Sequence, residues 1–164
     1  MNWLIFAIEA VVLLGLFTLM VMLPAKKDPA AGVYNYPPDI QEEYFKTHER
    51  VETAPLSARV ILIKSVGILF FVAVLSLGAW LCGAKGFWQG FLYAVLMFVL
   101  IGGYDTFFLD WVLFAKLPMF RLPGTEHMDE AYAQKWFHVK GMLFPGSLFA
   151  LIIGALTGLI AMTF

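Results

Sequence analysis

Four apolar blocks, each more than twenty residues long, leave this chain few ways to fold. They cover residues 3–23, 60–82, 87–115 and 136–163. A bilayer core of about 30 Å is crossed by about 20 helical residues at 1.5 Å each. Inside it every backbone amide must be satisfied within the chain, which favours helices over irregular structure. Composition agrees: 61% of residues are hydrophobic and 14% charged, against about 45–50% and about 25% in soluble domains. The chain therefore reads as an all-α integral membrane protein. Four transmembrane helices are expected in an antiparallel bundle, with residues 1–164 forming a single membrane domain.

The first block has no Lys or Arg before Leu23. At 21 residues it is longer than the roughly 7–15-residue core of a signal peptide, so a retained helix is expected. Loops 24–59 and 116–135 hold most of the charge. Lys26, Lys27, Lys46, Arg50 and Arg59 lie in or beside the first, Lys116, Arg121 and Lys135 in the second, and the other side has only Lys85. The positive-inside rule makes both loops cytoplasmic, with both termini outside a plasma (inner) membrane. In the first loop Pro37 and Pro38 impose extended chain, and Asp39 is placed to cap a short helix from Ile40 to Val51. Its weak amphipathic pattern (Ile40, Tyr44, Phe45) suits an interfacial helix on the membrane surface or over the helix ends. In the second loop Pro123-Gly124 signals a turn, and Thr125 is placed to cap a helix starting at Glu126 that runs into the fourth span, with a kink at Pro145-Gly146.

Charge inside the apolar blocks marks the candidate site. An ionised Asp at the centre of a membrane helix costs about 2.5–3.5 kcal/mol on insertion scales, and the third block carries both Asp105 and Asp110. With the expected topology, Lys64, Asp110, His138 and Lys140 share an inner-leaflet layer about 4–9 Å deep, with Asp105 about 16 Å deep. In an α-helix Asp105 and Asp110 are about 140° apart, so each would face a different neighbour. Asp110 is expected to pair with Lys64, His138 or Lys140. At over 40 Å of helix, the third block must tilt, protrude or break, and Gly102-Gly103 is the expected hinge. Glu9 is a second, outer-half carboxylate, with Ser76 or Thr157 as candidate partners.

Several chemistries are disfavoured. One cysteine, Cys82, excludes an internal disulfide and CxxC chemistry. Asp110, Glu126, His127 and His138 match no metal-ligand spacing, so no metal site is expected. The lipid bilayer is the expected partner and nucleic acid is not. Gly154 and Gly158 form a GxxxG match that would serve internal packing, a homo-oligomer or a membrane partner subunit. Small multidrug exporters also carry a Glu in the first of four short spans, but their short loops and lack of an Asp105/Asp110 counterpart separate them from this chain. The leading expectation is a transporter or transport-associated subunit using the Asp/Lys/His layer. The alternatives are a membrane enzyme acting on a lipid or amphiphile at the cytoplasmic interface, with Asp110 and His138 as acid–base partners, and a purely structural subunit.

Overall fold

A computed structural model describes residues 1–50 and 57–164, and all its regular structure there is helical. Helix α1 spans Trp3–Lys27, α2 Pro38–Tyr44, α3 Ala58–Leu81, α4 Gly86–Tyr104, α5 Asp129–Tyr132, α6 Lys135–Gly141 and α7 Ser147–Ala161. Four helical stretches are long and apolar enough to cross a membrane: Trp3–Lys27, Ala58–Leu81, Gly86–Phe114 and Asp129–Ala161. Their starts are fixed by local chemistry. The Asn2 side chain accepts hydrogen bonds from the Leu4 and Ile5 amides, and Ser57 Oγ accepts one from Val60, satisfying donors that a helix N-terminus leaves open.

The helices meet closely where side chains are small. A Cβ on Gly90 of α4 would fall on Ala161, and one on Gly158 of α7 would lie 2.8 Å from the Phe87 carbonyl oxygen. One on Gly154 would lie 2.7 Å from Val95. Gly154 and Gly158 of the GxxxG match thus pack against α4 within the chain. At the same end, the Asn2 amide donates to the Cys82 carbonyl at 2.6 Å. That ties the start of α1 to the α3–α4 turn, where Gly83 and Gly86 take positive φ. Elsewhere α1 is only lightly covered, and Ala10 is its one buried residue.

The two long loops fold together. Ile40, fully buried, packs with Tyr36, Phe120, Leu122 and Tyr132 beneath Phe114 at the end of the third stretch. Helix α2 therefore lies over the helix ends, its apolar side covered by the second loop. It ends at Tyr44, short of the expected Val51, which lies with Pro55 outside the described residues. Asp39 does not cap it. Pro37 holds that position, and Asp39 accepts a hydrogen bond from Gln134 Nε2 at 2.6 Å, joining the loops. Thr125 does not cap a helix either. Its hydroxyl is used by the Leu122 carbonyl and the Tyr132 hydroxyl, so the next helix waits until Asp129. Arg121 donates to the Ala115 carbonyl and to Asp129, with its guanidinium 4.0 Å from the Tyr132 ring centre. Burial raises the Tyr36 hydroxyl above the usual tyrosine range, helped by the neighbouring Tyr132 and Asp28, so it stays a neutral donor to the Pro29 carbonyl. Truncating Ile40 to Ala removes the centre of this cluster. The expected cost is about 2–5 kcal/mol, read as a shift in the thermal unfolding of purified protein.

Candidate functional site

The third stretch changes character immediately after Gly102-Gly103. From Asp105 to Phe114 it is a π-helix, and the Ala115 amide returns to the Asp110 carbonyl five residues back. This corrects the α-helical geometry expected for the two carboxylates. With i→i+5 bonding and about 4.4 residues per turn, residues five apart lie about 50° apart in azimuth, against about 140° in an α-helix. Asp105 and Asp110 therefore lie on the same side of the helix. The glycine pair itself stays helical, with room beside it: added Cβ atoms would meet Met142 at 3.7 Å and Phe107 at 3.9 Å.

The facing element is broken too. Phe144 leaves helical geometry (φ −149°, ψ 121°), one residue before Pro145, where proline disfavours the α conformation of its predecessor. The short helix α6 is thereby set apart from α7 and lies against the π segment. It carries the one ion pair of this layer among the described residues: His138 Nδ1 to Asp110 Oδ2 at 2.9 Å. The His138 side chain is 9% exposed and that of Asp110 22%. Phe114 and Phe137 pack against the imidazole, whose Nε2 is buried without a partner.

The other expected members of the layer stand apart. Lys64 and Lys140 are exposed and pair with no carboxylate among the described residues. The expected alternatives of Lys64 or Lys140 as the Asp110 partner are thus replaced by His138. Lys140 is two residues from His138 and so points away from it. Asp105 is half-buried and makes no hydrogen bond among the described residues. Glu126 and His127 sit exposed in the turn before α5, and among the described residues no three His, Cys, Asp or Glu side chains are grouped to hold a metal.

A small cleft opens beside the pair, bounded by Asp110, Trp111, Tyr132, Gln134, Lys135 and His138, with room of about 20 Å³, about that of one water. Trp111 Nε1 donates to the Lys135 carbonyl at 3.3 Å, and the Lys135 ammonium lies 4.9 Å from the centre of the Trp111 rings. Sequence reasoning missed these walls, although Gln134 and Lys135 directly precede the fourth apolar block, at the level of Trp111.

Near the other end, Glu9 accepts a 2.8 Å hydrogen bond from the Tyr93 hydroxyl, while Ser76 and Thr157, its expected partners, make none. The signal for Tyr93 was present. Glu9 and Tyr93 each lie about two turns from the same-side end of their blocks. Glu9 Oε1 is buried without a partner.

Together these features define an all-helical protein with four span-length helices and an Asp–His pair at a break between two of them. No protein-family model, curated protein or solved structure matches the chain, so its residues alone bear on what the site does.

Proposed function

We propose that the chain is an integral membrane protein of four transmembrane helices in an antiparallel bundle. Both long loops would be cytoplasmic and both termini outside a plasma (inner) membrane. It would act as a small transporter or transport-associated subunit in which the Asp110–His138 pair binds and releases a proton. Large apolar side chains exposed along α1 and α3, among them Leu4, Val11, Leu19, Leu62, Leu69 and Leu77, support a lipid surround. The Lys/Arg distribution supports the orientation.

One observation carries the functional reading: His138 is bound on one nitrogen only. With Nδ1 2.9 Å from Asp110 Oδ2, a neutral imidazole that carries its proton on Nδ1 leaves a bare lone pair at Nε2. A proton taken there creates an imidazolium 2.9 Å from the Asp110 carboxylate. The glycine pair Gly102-Gly103 and the break at Phe144 give the two carrying segments places to move. A purely structural register lock is less well supported, because among the described residues Lys64 and Lys140 pair with no carboxylate and Asp105 makes no hydrogen bond. The enzyme reading is less well supported, because the cleft has about 20 Å³ of room, about that of one water, far below the roughly 300–1,000 Å³ of pockets that enclose drug-sized molecules.

Proteoliposomes with an entrapped pH dye and an imposed potential test this reading. Wild-type protein should move protons at least about tenfold faster than Asp110→Asn, with Lys140→Gln unchanged, as expected for a charge site in a membrane. Equal rates for wild type and Asp110→Asn would overturn it. Orientation is checked separately by single cysteines at Glu42 and Glu126, both exposed. These should react with an impermeant maleimide only from the cytoplasmic side, and labelling from outside would reverse the topology.

A further inference from the structure

Two opposite charges stand unpaired on neighbouring helices, near the end that carries the long loops. Helices α3 and α4 run back along each other from the turn at Gly83 and Gly86. The Tyr93 hydroxyl sits against Gly78, where an added Cβ would fall on it. Further along, Phe71 meets Phe98 with ring centres 6.5 Å apart. Lys64 lies seven residues before Phe71, and Asp105 seven residues after Phe98. Seven residues are two helical turns, about 10.5 Å along the axis and about 20° in azimuth. Both charges are therefore set on the sides that touch at Phe71 and Phe98, and at one level. If the two helices stayed in contact that far, Lys64 would meet Asp105.

They do not stay in contact. The buried residues of α3 are Val72, Leu75, Ser76 and Ala79, all toward its other end. Ile61 and Ser65 lie within about 20° of Val72 in azimuth, yet both are exposed. Lys64 is exposed and pairs with no carboxylate among the described residues, and Asp105 makes no hydrogen bond there. The helices part beyond Phe71 and Phe98 and leave a gap between the two charges.

Each arm has a place to bend between its contact and its charge. Gly67, where an added Cβ would meet nothing within 4 Å, lies between Lys64 and Phe71. Gly102-Gly103 lies between Phe98 and Asp105, and π geometry begins just beyond. Opposite charges attract strongly where water is scarce, as at membrane depth. Closing the gap also strips both of remaining water, which opposes the attraction, so neither arrangement is locked. We infer that Lys64 is a working residue of the transport site, which pairs with Asp105 when α3 and the third stretch close together. The open gap is one state. The closed state shields Asp105, and Asp110 five residues on, from the loop end. The inference rests on the transport reading and names the residue that governs access to its site.

Spin labels on cysteines at Leu62 and Phe108, both exposed, report the separation of the two arms. The native Cys82 is buried. Electron–electron double resonance on the full chain in lipid nanodiscs should give two populations, one longer and one shorter. Lys64→Gln and Asp105→Asn should each abolish the shorter one, and Lys64→Arg, which keeps the charge, should retain it. Lys140→Gln, which removes an exposed cation of α6, should leave both populations in place. A single population with Lys64 and Asp105 intact, or a shorter one that survives Lys64→Gln, would overturn the inference. So would loss of the shorter population in Lys140→Gln, since any nearby charge would then suffice. Proton movement in vesicles with one fixed separation would sink this inference alone. Two charge-dependent populations without proton movement would sink the transport reading and leave the closure standing.

Discussion

Replacing Asp110 by Ala is expected to destabilise the detergent-solubilised protein by about 1–3 kcal/mol, the usual cost of leaving a buried polar group without its partner. His138→Ala should cost a similar amount. The informative quantity is their coupling. Asp110 Oδ2 and His138 Nδ1 are 2.9 Å apart in a setting where the imidazole is 9% exposed, so the double variant should be less damaged than the sum of the singles by about 1 kcal/mol or more. Lys64 and Lys140 serve as internal controls. Both are exposed and unpaired among the described residues, so Lys64→Ala and Lys140→Ala should add to Asp110→Ala within about 0.5 kcal/mol. Thermal or denaturant unfolding of the seven single and double variants decides the matter. Coupling of Asp110 to Lys64 in place of His138 would contradict the geometry of the π segment.

The second large effect is expected in the α4–α7 seam. Overpacking a tight interface by one methyl group typically costs about 1–3 kcal/mol, and Gly90→Ala places its new carbon on Ala161. Gly158→Ala brings its carbon to 2.8 Å from the Phe87 carbonyl oxygen, and backbone cannot rotate away. Both should lie at or above the upper end of that range. Gly102→Ala and Gly103→Ala meet only side-chain atoms at 3.7 and 3.9 Å. They should fold about as stably as the parent, since alanine also favours the helix by about 1 kcal/mol over glycine. If those two changes leave folding intact but slow proton movement in vesicles, the glycine pair serves motion. If they leave both intact, it has no hinge role. Melting curves in one detergent rank all four variants, and a tolerated Gly90→Ala would show that the seam is looser than described.

The four span-length helices were legible because a run of apolar residues is a one-dimensional signal, and the bilayer-length criterion needs no knowledge of packing. Titratable groups such as Asp105, Asp110 and His138 were legible for the same reason: each interrupts such a run. Their mutual geometry was not. Depth follows from counting residues, but azimuth depends on the helix type, and nothing in Asp105-Thr106-Phe107-Phe108-Leu109-Asp110 announces i→i+5 bonding. An α-helical count therefore turned two neighbouring carboxylates into divergent ones, and left three cations as equal candidates for Asp110. The loops failed differently. Asp39 and Thr125 have the residue types of helix caps, but each side chain is claimed by a distant partner, Gln134 and Tyr132. Such tertiary competition for a short polar side chain cannot be read locally. The burial of Ile40 depends likewise on the other loop, more than eighty residues away in sequence.

The nitrogen chemical shifts of the His138 side chain, recorded in bilayers across neutral pH, test most directly whether the Asp110–His138 pair works as a proton site. The expected result is a neutral imidazole protonated on Nδ1 at alkaline pH, which gains a second proton on Nε2 as the pH falls. In Asp110→Asn the preference for Nδ1 should weaken, because the carboxylate that fixes the tautomer is gone. A His138 that stays doubly protonated throughout, or holds its single proton on Nε2, would contradict the proposal and leave the pair as a fixed structural bridge.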